Sequence, residues 1–250
     1  MKPVAPVTSA RADWGNLDSS GTGAPLSRVA PRSSVLSTSS VALKIFLAGL
    51  LTAGACLAQN WVIGGGLGYG AYRNGVITSS AGSADAGIRN HAIVTGVVTE
   101  DLFDHFSGEF RYVYHGGDTF LSSGSSQGGV KAQSHVVVYD ALVHWKPRTA
   151  RIRPFVGGGF GAKYYDTTGT VPSPQPLPRI ASLTNQSQWK PLFDFGGGVK
   201  VRIADHVVVS GDFRDYITVF PDRLFSPANG ATRQGMLHQF TPMISVGYNF

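Results

Sequence analysis

Eight segments of period-two alternation, joined by connections that alternate long and short, constrain this 250-residue chain more than any other feature. Alternating apolar and polar side chains predict strands over 60–73, 89–101, 105–116, 133–146, 151–166, 188–203, 205–217 and 234–250. The stretches between them are 74–88, 102–104, 117–132, 147–150, 167–187, 204 and 218–233. Every second hairpin is therefore tight, and its neighbours are open. An even strand count returns both ends of the sheet to the same rim. The long stretches carry SSAGSADAG, GGDTFLSSGSSQGG, TTGTVPSPQPLP and PDRLFSPANGA, in which Gly, Pro, Ser and Asp favour turns over ladders. No stretch beyond residue 59 keeps a 3.6-residue apolar period, which excludes a helical core.

Most of these strands exceed the five or six residues usual in globular sheets. They approach the roughly 9–11 residues that a tilted transmembrane strand needs. Short turns at one rim and long loops at the other form the topology of a membrane-spanning barrel. Parity within the strands separates two faces. Phe106, Phe110, Tyr112 and Tyr114 oppose Ser107, Glu109 and Arg111; Phe193, Phe195, Val199 and Val201 oppose Asp194, Lys200 and Arg202; Val207, Val209 and Phe213 oppose Ser210, Asp212 and Arg214. A charge at the bilayer midplane costs about 2–4 kcal/mol, so the charged face points away from lipid. A soluble sandwich with its apolar face inward shows the same alternation. Two features favour the barrel. Trp61, Tyr114, Trp145, Tyr164 and Tyr248 recur near strand ends, as interfacial girdles require. The final Ile244-Ser245-Val246-Gly247-Tyr248-Asn249-Phe250 is an apolar strand running to the last residue, where soluble chains tend to fray.

Composition agrees. Charged residues make up 14% of the chain, against roughly 25% in typical soluble proteins. This excludes a coiled coil, a charged helical protein and an acidic disordered tail. One cysteine excludes an intramolecular disulfide framework and a multi-cysteine metal site. The net charge of +6 is spread along the chain without a basic stripe, so no nucleic-acid partner is expected. Residues 1–40, rich in Ser, Ala and Pro, read as a disordered extension, and a translation start downstream of Met1 would account for them. Residues 41–58 read as a signal peptide: Lys44, then a short apolar block from Ile45 to Ala58, with Cys56 and Ala58 placing cleavage before Gln59. Ala53-Gly54-Ala55-Cys56 is close to a lipobox, which makes lipidation of Cys56 the alternative fate. Removal of residues 1–58 leaves a net charge of +3.

The signal block at 44–58, the opening Trp61-Val62-Ile63-Gly64-Gly65-Gly66-Leu67-Gly68-Tyr69-Gly70, the segments Gly157-Gly158-Gly159-Phe160-Gly161 and Phe195-Gly196-Gly197-Gly198-Val199, and the ending Val246-Gly247-Tyr248-Asn249-Phe250 carry a resemblance. Over residues 59–250 the chain resembles the small outer-membrane β-barrel proteins, the OmpA-type eight-stranded barrels. The resemblance implies an all-β, eight-stranded antiparallel up-and-down transmembrane barrel in the bacterial outer membrane. It implies contact with outer-membrane lipid and lipopolysaccharide, a monomeric state, and insertion by the barrel-assembly machinery, which would read Ile244, Val246, Tyr248 and Phe250. A peptidoglycan-binding domain is not matched, so no cell-wall tether is expected. The expected role is structural or adhesion-like, exercised through the long outer loops. A small pore or passive transporter is the first alternative, and a soluble lipocalin-like barrel with an apolar interior the second.

Motifs for chemistry are sparse, and no enzymatic activity or cofactor is expected. Gly66 to Ala71 and Gly157 to Ala162 both fit G-x-G-x-x-A, but neither run leads into the helix that a dinucleotide site needs. Glycines on an inward face, making room for long side chains, explain both. His91, His105, His115, His135, His144, His206 and His238 show no metal-ligand spacing. His105 and Ser107 superficially offer a base and a nucleophile, yet they lie beside the short turn at 102–104, far from an outer-leaflet substrate. The best-defined constellation is Glu109, Arg111, Asp140, Lys163, Asp194, Lys200, Arg202, Asp212 and Arg214, expected to project into the lumen. An eight-stranded barrel is only just wide enough for its own side chains, so these groups should pair with one another.

Overall fold

The computed structural model describes residues 61–250. The expected extension (1–40), the signal segment (41–58), Cys56 and the cleavage point before Gln59 lie outside the described residues. Among the described residues the strands are β1 (Trp61–Arg73), β2 (Gly75–Ser79), β3 (Gly82–Ile88), β4 (His91–Asp101), β5 (Phe106–His115), β6 (Thr119–Ser123), β7 (Ser126–Val130) and β8 (Ala132–His144). They continue as β9 (Ile152–Thr167), β10 (Ala181–Leu183), β11 (Ser187–Ala204), β12 (Val207–Val219), β13 (Phe225–Pro227), β14 (Thr232–Gln234) and β15 (Met236–Asn249).

The long strands close into an antiparallel barrel in the order β1-β15-β12-β11-β9-β8-β5-β4, the first and last paired. Each lies within about three residues of its expected span. The wall is apolar outside and polar inside: Leu67 and Ile244 are each 67% exposed and Phe160 75%, whereas Asp140, Asp194 and Arg214 are fully buried. A solvent-facing wall of this composition would be unfavourable, while an acyl-chain environment satisfies it. Closure leaves no strand edge, which a bilayer demands of any sheet. At the seam the Phe250 N–H donates to the Trp61 carbonyl at 3.0 Å.

The four long connections depart from the expectation of irregular loops. They fold into seven short strands, arranged as one sheet in the order β14-β2-β3-β6-β7 and a pair β10-β13. Their coding is weak locally, as in GSADAGI (β3) and SQGGV (β7). Burial supplies what propensity lacks: Ile77, Ala86, Ile88, Leu121, Ala181, Leu183, Leu224 and Phe225 pack as one core with Tyr165 and Leu237 from the barrel strands. Asparagines knit the cap to the wall. The Asn74 Oδ1 accepts from the Ile88 N–H at 2.9 Å, and the Asn90 Oδ1 from the Tyr72 N–H at 2.8 Å, where the β1–β4 ladder gives way to β2–β3. Gly124 turns the tight β6–β7 hairpin with φ of 57°, a left-handed conformation suited to glycine.

Candidate functional site

Inward residues of β5, β8, β11 and β12 build a buried ionic cluster in the half of the lumen nearer the short turns. Arg111 Nη2 donates to Glu109 Oε1 at 2.5 Å and to Asp212 Oδ2 at 2.6 Å. Glu109 Oε2 accepts from Lys200 Nζ at 2.9 Å and from the Thr99 hydroxyl at 2.8 Å. Arg214 Nη1 lies 3.2 Å from Asp194 Oδ2 and 3.3 Å from Asp140 Oδ2, and its Nη2 lies 3.5 Å from Glu109 Oε1. Mutual pairing compensates the desolvation of each ion. Inward glycines clear the space. A Cβ at Gly196 would stand 2.7 Å from Arg214 Cδ, and one at Gly198 would stand 2.6 Å from Asp212 Cβ. The inward Gly66, Gly68 and Gly70 similarly face Ser245, Met243 and Gln239 on β15. Both G-x-G-x-x-A runs continue as barrel strand.

Of the nine charges expected inside, seven join this cluster and two do not. Lys163 lies farther toward the cap, where its Nζ donates to the Tyr72 hydroxyl at 2.6 Å and to Gln239 Oε1, without a carboxylate partner among the described residues. Arg202 is half-buried at the short-turn rim, where it donates to the Arg148 carbonyl at 2.7 Å. Parity put both on the inward face; strand position removes them from the cluster.

The lumen is filled in layers. Two cavities of about 30 and 20 Å³ adjoin Thr99 and Lys200, room for a water or two each. Beyond the ions comes an apolar layer of Ile93, Val113, Val136, Val138, Leu192 and Met243. Above it Lys163, Tyr72, Gln239 and the Tyr165–Thr218 hydroxyl pair (2.6 Å) form a polar layer, and the cap core completes the stack. An apolar layer inside an ionic tube was not expected from the sequence.

Ser107 pairs with His144, not with His105. The Ser107 hydroxyl donates to Asp101 Oδ1 at 2.5 Å, and His144 Nε2 lies 2.8 Å from Ser107 Oγ. A serine has one proton to give, so the imidazole donates to the hydroxyl instead of accepting from it. That is the reverse of nucleophile activation. Asp101 also takes Arg153 Nη1 at 2.8 Å, which closes the short-turn end with a second, smaller plug.

On the outer wall, Tyr114, His135, Tyr164 and Trp189 form a continuous aromatic arc toward the cap, with ring centroids 5.3, 6.2 and 4.9 Å apart in turn. Tyr248 stacks on His206 at 5.3 Å near the opposite rim. Ile244, Val246, Tyr248 and Phe250 make one exposed outward row. The cap carries its own polar latch: Asp222 Oδ1 accepts from Lys190 Nζ at 2.5 Å and Gln188 Nε2 at 2.9 Å, and Arg233 Nη1 approaches Oδ2 at 3.4 Å. The Lys190 ammonium bonded to it holds the Asp222 carboxyl below the usual carboxylate range.

No protein-family model matches the chain, and no curated protein matches it. Solved structures do. The outer membrane protein OprG from Pseudomonas aeruginosa superposes with a TM-score of 0.54 at 13% identity, covering 77% of this chain and 96% of that one. The N-terminal β-barrel domain of Pseudomonas aeruginosa OprF is 14% identical, with a TM-score of 0.44 and coverage of 77% and 98%. Neisserial surface protein A is 11% identical, with a TM-score of 0.45 and coverage of 76% and 96%. With eight antiparallel strands in a closed ring, an apolar wall and an ionic lumen, the chain has the fold of the small outer-membrane β-barrel proteins.

Proposed function

We propose that this barrel resides in the bacterial outer membrane and serves a structural or adhesion-like role at the cell surface. The observation that carries the reading is the cap: four long connections fold onto one apolar core at the rim that the barrel topology directs outward. A passage through the lumen would be better served by mobile loops and an open bore. A rigid platform with ordered edges suits contact with other molecules. Outer-leaflet lipid and lipopolysaccharide would surround the aromatic arc. The same reading assigns the outward row Ile244, Val246, Tyr248 and Phe250 to recognition by the barrel-assembly machinery.

The test displays the full chain on a non-adherent bacterial host and measures attachment to epithelial cells and to abiotic surfaces. Wild type should confer attachment. Leu121→Asp, which places a charge in the cap core where Leu121 is fully buried, should abolish it while the barrel keeps its heat-modifiable gel mobility. No attachment by wild type, or equal attachment by the variant, would overturn the proposal.

A further inference from the structure

A carboxylate interrupts the outward apolar row of β12. Along β12 the outward positions run Val209, Gly211, Phe213, Asp215, and Asp215 is only 4% exposed despite its parity. Its Oδ2 accepts from the Nδ1–H of His238 at 2.8 Å, and its Oδ1 has no hydrogen-bond partner. His238 is itself outward on β15 and lies nearly parallel to the Phe240 ring at 6.0 Å, which fixes the imidazole plane. With Nδ1 donating to Asp215, the ring's remaining nitrogen, Nε2, is left for a ligand, and in the protonated ring its N–H donates to a phosphate oxygen. Directly opposite His238 in the β1–β15 register stands Arg73, exposed and with no acidic partner among the described residues. An unpaired guanidinium beside an oriented imidazole is an arrangement for a phosphate oxygen.

Below this cluster, on the same three strands and β11, an open groove of about 510 Å³ runs along the outer wall between Leu67, Tyr69, Gly197, Gly211, Phe213 and Pro242. Its floor is low because Gly197 and Gly211 present no side chain; a Cβ at Gly211 would meet nothing within 4 Å. Pro242 and His238 are four residues apart on β15, about 14 Å at the usual strand rise. The polar end lies toward the cap and the groove toward mid-wall. This is the length and polarity of a lipid standing in the outward leaflet.

We propose that the wall carries a specific site for a phosphate-headed acyl lipid, with the phosphate held by Arg73 and His238 and one acyl chain lying in the groove over Gly211. Asp215 acts as a positioning residue that orients the imidazole. The inference rests on the membrane reading, and phosphate and chain must be parts of one molecule, because neither half of the site is enclosed enough to hold its ligand alone.

Native mass spectrometry of the refolded, delipidated chain tests it, with diphosphoryl lipid A as the probe and its dephosphorylated form and inorganic phosphate as competitors. Lipid A should bind, and Arg73→Ala should weaken it about tenfold, as loss of a charge-assisted hydrogen bond implies. Gly211→Phe, whose Cβ would meet nothing within 4 Å and whose ring would occupy the groove, should weaken it comparably, whereas Arg89→Ala, whose guanidinium lies over the Phe120 ring of the cap at 5.4 Å, should bind as wild type. Equal binding by wild type, Arg73→Ala and Gly211→Phe would overturn the site, as would displacement by inorganic phosphate alone or equal affinity for the dephosphorylated lipid. Heat-modifiable mobility is read in the same samples. A chain that inserts as a barrel but fails these tests sinks the lipid site only, while a chain that never inserts sinks the membrane reading beneath it.

Discussion

Arg214 and Lys200 carry the same formal charge in the same lumen, yet their surroundings differ. Arg214 is fully buried and is the cation shared by Asp140 and Asp194. Without it, two carboxylates would face each other in a dry interior, so Arg214→Met should cost about 3–5 kcal/mol. Lys200 borders the two small cavities, and its partner Glu109 keeps Arg111 and the Thr99 hydroxyl. Lys200→Met should therefore cost less, about 1–2 kcal/mol. Urea unfolding in lipid vesicles, followed by gel mobility, ranks the two variants; equal losses would show that the cluster is not organised around Arg214. Parity in the sequence was enough to put Glu109, Asp194 and Arg214 on one face. It could not reveal that Glu109 meets Lys200 from 91 positions away, because that depends on the accumulated register of the intervening strands. Asp215 does carry a signal in the sequence, since it continues the apolar row of Val207, Val209 and Phe213 with a carboxylate.

The long strands were legible because a period of two sustained over ten or more residues has few competitors, and β5 displays it cleanly. The cap strands were not, since three to seven residues, as in GSADAGI and SQGGV, are too few to establish a period. Ala84, Ala86 and Ile88 become a strand face only when Leu121 and Ile77 cover them. The Asp222 latch is the part of the cap most sensitive to conditions. Its carboxyl is held by Lys190 and Gln188 of β11, and the Arg223 N–H bonds Gln188 Oε1 at 3.1 Å. A carboxyl depressed in the folded state stabilises that state above its unfolded pKa, roughly 3.9, and the contribution fades as pH falls through the lower folded value. Hydrogen exchange in the 220–227 segment should therefore be slow at neutral pH and quicken, relative to the chemical rate, once the pH drops below about 4. Asp222→Asn should show the fast exchange already at neutral pH, without an acid step. An acid step of wild-type size in the variant would place the titrating group elsewhere.

At the scale of the whole molecule, the lumen is a set of closures in series. The ionic cluster borders a cavity of about 20 Å³, and Lys200 also lines a second of about 30 Å³ at the short-turn rim. Ile93, Val113, Val138 and Leu192 fill the next level, Lys163 with Tyr72 and Gln239 the one above, and the cap core the last. Conductance through closures in series is set by the tightest, so enlarging one level leaves the others in command. Each level is also a different kind of barrier: charge at the first, dewetting at the second, a buried hydrogen-bonded lysine at the third and a folded sheet at the fourth. An ion that found a path through the carboxylates would still have to shed its water at the apolar level, where nothing replaces it. The double variant Arg111→Ala, Lys200→Ala, which removes two cations from the ionic level, should therefore pass no more current in planar bilayers than the wild type, and neither should rise above the bare membrane. Steady single-channel steps from the wild type would mean that the layers are not continuous across the bore. Steps from the double variant alone would mean that the ion cluster is the whole gate, with the apolar level permeable once it is reached.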